Sequence, residues 1–323
     1  AVTRGYQLAA RYVATQFEIM GLQAAGDTDS WFQQLDLRRT IQVDEGCSFE
    51  LQGDSSTQAM EYGVDYFMQG HPTFESTEVD APLVFVGYGV SAPDMDYDDY
   101  AGVDVKGKIV VLLRGAPPTF PHNQRAYYAR EKLRVAEKNG AAGVLSFLNP
   151  EDAAKRPWER RMLNSKIARM RLLDHEGQPL EAFPGLQANA ILSKTGTETL
   201  FAGAPQSLEE IYAAAESGKP NSFALPWRAK IKRQSKHRNV RSKNVVALLE
   251  GSDETLRNEY VVYTGHLDHL GIGAPMDGDR IYNGAFDNAS GIAVMLEVAR
   301  AFRSLPVPPR RSIVFLAVTA EEK

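Results

Sequence analysis

Apolar positions at the start of the chain repeat with a helical period. Leu8, Tyr12, Val13, Phe17 and Met20 recur at that spacing, and Gly21 follows where a left-handed C-terminal cap belongs. The pattern predicts an amphipathic helix packed by one face on a sheet. From Ala81 the texture changes to short apolar runs, 83–86 and 109–113, parted by the turn residues Gly87, Gly89, Gly102 and Gly107. These predict a separate β-rich unit. A helical pattern over 127–139 closes at Gly140 and leads into the apolar run 143–148, so the unit mixes helix with strand. The charged stretch 151–171 reads as a solvent-facing excursion, since charge runs are commonly solvated.

After polar, proline-bearing sequence over 219–241, two β-branched runs, 245–249 and 260–264, have the look of neighbouring strands. Ile292, Met295, Leu296, Ala299, Phe302 and Leu305 then form one helical stripe, which Pro306, Pro308 and Pro309 stop, and 313–318 reads as a buried strand. The order predicts an α/β fold whose outer domain is discontinuous, residues 1–75 and 238–323, with residues 76–237 inserted between its halves.

Composition narrows the class. A chain of 323 residues is long enough for about two domains. With 43% hydrophobic and 24% charged residues, neither disorder nor a membrane-embedded class is favoured. No apolar run is long enough for a transmembrane helix. The net charge is −5 and the basic residues are scattered apart from 228–243, which reads as a solvated surface segment, so no nucleic-acid partner is expected. Cys47 is the single cysteine, which excludes an intrachain disulfide and any CxxC site; it reads as a small buried apolar residue. The chain begins without Met, so its natural start is expected to have been removed.

Three short polar segments sit at the ends of predicted core elements: Gly265-His266-Leu267-Asp268-His269, Asn283-Gly284-Ala285-Phe286-Asp287-Asn288, and Glu321-Glu322. In open α/β sheets the carboxyl ends of parallel strands border the ligand crevice, so such segments can converge there. Imidazole and carboxylate suit zinc, and a catalytic zinc takes three protein ligands plus an open position. His266, Asp287 and Glu322 offer that chemistry, Asp268 is two residues from His266 and on the same side of an extended backbone, and Glu321 adjoins a ligand as a candidate base. Each has a plainer reading: His266 as a structural histidine, Asp287 as the cap of the following helix, the paired glutamates as an exposed acidic end. Their conjunction at successive strand ends favours the metal. His269 reads as a supporting or surface residue. Gly87-Tyr88-Gly89-Val90-Ser91-Ala92 imitates a dinucleotide loop, but Pro93 and an acidic stretch replace the helix that loop requires, which leaves a β-turn. Neither GxSxG nor GxxxxGK occurs.

Gly265-His266-Leu267-Asp268-His269-Leu270-Gly271, Asn283 to Gly291 and Thr319-Ala320-Glu321-Glu322, in this order, closely resemble the co-catalytic di-zinc aminopeptidase family. The N-terminal helix resembles that family's opening helix, and 81–148 looks like the protease-associated domain inserted in many bacterial members. The resemblance implies a zinc-exopeptidase sheet flanked by helices, two zinc ions, a peptide substrate and removal of N-terminal residues. By it His266 binds one zinc, Asp287 bridges the pair, Glu322 binds the other, Glu321 is the general base and Asp268 orients His266. Phe286 stands where an Asp is often found. The family uses two further ligands on later elements, so the resemblance implies the N-terminal part of a longer enzyme and an inactive fragment. It also implies export to the periplasm or medium. Relatives with this core act as carboxypeptidases, glutaminyl cyclases or non-catalytic receptors, and these stand as alternatives.

Overall fold

The computed structural model describes residues 2–155, 157–276 and 278–322. It is a mixed α/β protein that divides into two compact units. One comprises Ala1–Arg39, Met170–Leu180 and Arg238–Lys323; the other comprises Thr40–Arg169 and Glu181–His237. Among the described residues no helix is long and apolar enough to cross a membrane.

In the first unit, the end of the strand Phe223–Leu249 pairs antiparallel with Ser312–Val318, from Val245 opposite Ala317 to Leu249 opposite Ile313. Ser312–Val318 also pairs in parallel with Tyr260–His266, Tyr260 beside Ser312 and His266 beside Val318. The runs 245–249 and 260–264 are therefore not direct neighbours: the last strand inserts between them. A crossover explains this. The helix Ser290–Arg303 returns the chain from the end of one parallel strand to the start of the next, and buries Ile292, Met295, Leu296 and Ala299. The helix Arg4–Ile19, capped by the Thr3 hydroxyl on the Tyr6 amide, buries Tyr6, Ala10, Val13, Ala14 and Phe17. These positions cluster on one side at about 100° per residue, whereas Leu8 and Tyr12, expected in the stripe, fall opposite and are exposed. Phe17 meets Phe315 at 5.9 Å between ring centroids, and burying such a side chain contributes roughly 1.5–3 kcal/mol.

The second unit is built on the parallel strands Ile109–Leu113, Gly143–Phe147 and Ala188–Leu192. Ser76–Phe85 adds in parallel at one side, and Tyr66–Met68 adds antiparallel at the other. Residues 40–75 were expected with the outer domain, yet they lie in this unit. The physical reason is strand pairing: Ser48–Gln52 bonds antiparallel to 228–232, beside Ser76–Phe85 on the same strand. The charged stretch 151–171 is not a free excursion. It contains the helices Pro150–Lys155 and Trp158–Ser165, and Trp158 Nε1 donates to the Gly63 carbonyl at 2.6 Å. Nor is the basic stretch wholly solvated. Arg233 is only 3% exposed, because alternation along its strand turns it inward with Ala229 and Ile231, and it donates to the carbonyls of Leu186 and Gln187. Cys47 is half-buried rather than fully so.

The glycine-bearing segment after Ser76–Phe85 is a turn held by Asp99. Its carboxylate accepts from the Val90 amide at 2.9 Å and from the Tyr97 hydroxyl at 2.8 Å. Burial outweighs these bonds and pushes Asp99 up from 3.8 to about 6. The folded state thus holds this proton more tightly than the unfolded chain does. The group's contribution to stability is complete below pH 3.8 and is lost as pH rises through about 6. Asp99→Asn keeps an acceptor without the titration. Melting temperature compared with the native chain across this window should show the variant gaining ground as pH rises, and parallel curves would refute the assignment.

Candidate metal centre

The in-phase parallel pairing of Tyr260–His266 with Ser312–Val318 sets His266 beside Val318, so the segment 319–322 leaves its strand at the same sheet edge as His266. The crossover brings Asp287 to that edge as well, just before the helix Ser290–Arg303. His266 Nε2 lies 3.0 Å from Asp287 Oδ1 and 4.0 Å from Glu321 Oε2. Donor atoms of His266, Glu321 and Glu322 lie within 4.8 Å of one another, as do those of His269, Asp287 and Glu322. The five residues predicted from sequence, His266, Asp268, Asp287, Glu321 and Glu322, are thus brought together at one edge.

Asp268 is 3% exposed, and its two oxygens accept the backbone amides of Glu321 at 3.1 Å and Glu322 at 3.4 Å. Its carboxylate therefore holds the paired glutamates. It is the Asp268 backbone carbonyl, 3.1 Å from His266 Nδ1, that orients the imidazole and leaves Nε2 toward the acids. The Asp268 side chain is committed to the neighbouring loop. Burial alone would lower the His266 pKa, but the bond to Asp268 and the charges of Glu321, Asp268 and Asp287 outweigh it and raise it above 6.5.

Asp287 is not the cap of the crossover helix. Asn288 Oδ1 accepts the Gly291 amide at 3.0 Å, which serves that need and leaves the Asp287 carboxylate largely exposed. A Cβ on Gly291 would come within 2.2 Å of Asn288 Oδ1, so a side chain there would displace the Asn288 cap. Phe286 is 92% exposed and takes no part in the donor set.

Two features were not legible in the pattern. His269, read as supporting or surface, has Nδ1 2.8 Å from Glu322 Oε1 and joins the Asp287–Glu322 group. A Cβ on Gly284 would strike the His269 ring at 2.8 Å, so the glycine at positive φ admits the imidazole. Ala320 adopts φ 61°, a left-handed conformation that costs an alanine roughly 1–2 kcal/mol and turns the chain sharply after the strand. Asn244 and Ser242 hold the preceding Thr319, through its amide at 2.9 Å and its hydroxyl at 2.7 Å. The donor set of imidazole and carboxylate, with one face exposed, fits a zinc ion that keeps a position open.

Residues 244–323 match the model of peptidase family M28, and residues 79–170 match that of the PA domain. A probable zinc metalloprotease of Pyrenophora teres f. teres is 42% identical over 79 residues, which are 24% of this chain and 16% of that protein. A probable zinc metalloprotease of Pyrenophora tritici-repentis is 40% identical over 79 residues, 24% of this chain and 17% of that protein. The match spans less than a fifth of either relative. Among solved structures, the aminopeptidase from Aneurinibacillus sp. strain AM-1 aligns with a TM-score of 0.45 and 19% identity over 98% of this chain and 57% of that one. The edge that gathers His266, Asp287, Glu321 and Glu322 thus lies wholly within the segment that matches the peptidase family M28 model, and the segment that matches the PA domain precedes it in the chain.

Proposed function

We propose that the chain carries the metal-binding part of a zinc-dependent aminopeptidase that releases N-terminal residues from peptides. The observation that supports this most is the convergence of His266, Asp287 and Glu322 at one sheet edge, with Glu321 exposed beside them. His266, Asp287 and Glu322 would hold two zinc ions, with Asp287 shared and His269 within reach of the Asp287–Glu322 side. Bound zinc supplies Lewis acidity toward the scissile carbonyl and toward an attacking water.

The remaining work falls to the chain. Glu321, with its side chain 58% exposed, takes the water proton on a carboxylate oxygen and returns it to the leaving amine. Asp268 fixes the amides of Glu321 and Glu322, which sets the base against its neighbouring ligand. His269 positions Glu322 through the 2.8 Å contact. With Glu321 reserved as base, the His266 side has two protein donors and the His269 side has three, counting Asp287 in both. A catalytic zinc takes three protein ligands, so the proposal includes weak zinc binding on the His266 side and, without that ion, no turnover by this chain alone. Export is part of the same proposal.

Zinc titration into the purified chain by calorimetry should show Glu322→Gln losing affinity while Glu321→Gln retains it; the reverse order would exchange ligand and base. In a form that turns over aminoacyl chromogenic substrates, Glu321→Gln should lower kcat by at least about 100-fold with zinc retained. That activity should vanish on chelation and return with zinc; activity indifferent to chelation would overturn the reading. Asp268→Asn, which places an amide N–H against a backbone N–H, and His269→Ala should each weaken zinc binding about 10–100-fold. Unchanged affinity in both would show that neither positions Glu322.

A further inference from the structure

The second unit contains a cavity of about 420 Å³ whose wall carries Arg114, Arg130, Lys132, Arg161 and Arg169. Among the described residues no Asp or Glu lines it, although the chain as a whole is acidic. The cavity lies over one face of the parallel strands, lined there by Leu112, Val144, Ser146, Asn189 and Ile191, and reaches their carboxyl edge. Arg114 follows Ile109–Leu113, Ser146 lies one residue from the end of Gly143–Phe147, and Ile191 lies one residue from the end of Ala188–Leu192. Ligands of open parallel sheets collect at this edge. The helices His122–Lys138 and Trp158–Ser165 close the remaining sides and supply Arg130, Lys132, Arg161 and Asn164.

Lys132 is the most telling member. It is 6% exposed, a buried ammonium that donates to the Leu113 carbonyl at 2.7 Å and has the Tyr88 ring 5.6 Å away. Lys132 and Arg130 form no ion pair with a carboxylate among the described residues. Lysine is almost never buried unless paired. Burial pushes Lys132 down to about 7, Arg114 pushes it further the same way, and Asp99 opposes them. A bound anion would relieve both. Ser146, Asn164 and Asn189 add neutral hydrogen-bonding groups to the same wall.

We infer that this cavity is a binding site for a small polyanion carrying two or more phosphate or carboxylate groups. The volume falls in the range of small-molecule sites, about 300–1,000 Å³, and is too small for a folded partner. Guanidinium groups pair with carboxylate and phosphate through two parallel hydrogen bonds, so several of them favour a multivalent oxyanion over a single charge. The site is independent of the metal centre, and it requires no peptidase activity.

Calorimetry and thermal melting of the whole chain with inorganic pyrophosphate and with citrate, at matched ionic strength, test this directly. At least one probe should bind saturably and raise the melting temperature, and the stronger of the two identifies phosphate or carboxylate as the natural group. Arg114→Ala and Arg130→Ala alter exposed side chains and should keep the native circular dichroism while each weakening the probe at least about tenfold. Arg130→Lys, which keeps the charge, should recover part of the loss. Absence of saturable binding by both probes, or binding that the Arg114→Ala/Arg130→Ala double variant retains in full, would overturn the inference.

Discussion

The metal centre depends on one constraint, the in-phase parallel pairing of Tyr260–His266 with Ser312–Val318. Parallel strands end at the same edge, so the residues that follow each one become neighbours however far apart they lie in the chain. The crossover helix must begin at that edge in order to return the chain to the start of the next strand, which carries Asp287 there too. A one-residue slip would turn every side chain of a strand to the opposite face and move the following acids away from His266. The core makes such a slip costly, since Ile313, Phe315 and Ala317 would leave the cluster that Phe17 and Val13 share.

Asp268 then converts proximity into geometry. A buried carboxylate without partners is strongly unfavourable, so its two bonds to the amides of Glu321 and Glu322 hold both loops in place. Ala320 in the left-handed region and Asn244 on the Thr319 amide act toward the same end, since both settle where the chain turns after Val318. Strain at a single alanine persists only where its surroundings specify the turn.

The second unit uses the same architectural device with opposite charge. Its parallel strands also deliver a charged group to their carboxyl edge, but there the group is Arg114, joined by Lys132 from the helix His122–Lys138 and by Arg169, rather than aspartate and glutamate. In the first unit acids gathered around two histidines suit a cation; in the second, basic groups around a cavity suit an anion. Each edge concentrates one sign of charge, and low-dielectric walls strengthen the resulting field.

Much of this was present in the linear pattern. The stripe Ile292, Met295, Leu296 and Ala299, the strand before Glu321, and the ordered His266, Asp287 and Glu322 motifs follow from local periodicity and residue chemistry, which depend on near neighbours in the chain. The insertion of Ser312–Val318 between two earlier strands, the transfer of residues 40–75 to the second unit, and the inward turn of Arg233 depend on pairings between distant segments. So do the contact of His269 with Glu322 and the commitment of the Asp268 carboxylate to two amides. Local sequence determined which elements form and which side chains offer metal chemistry. Only the tertiary structure decided which elements adjoin and which atoms each polar group faces, because a buried donor or acceptor takes its partner from whatever the packing brings within hydrogen-bond reach.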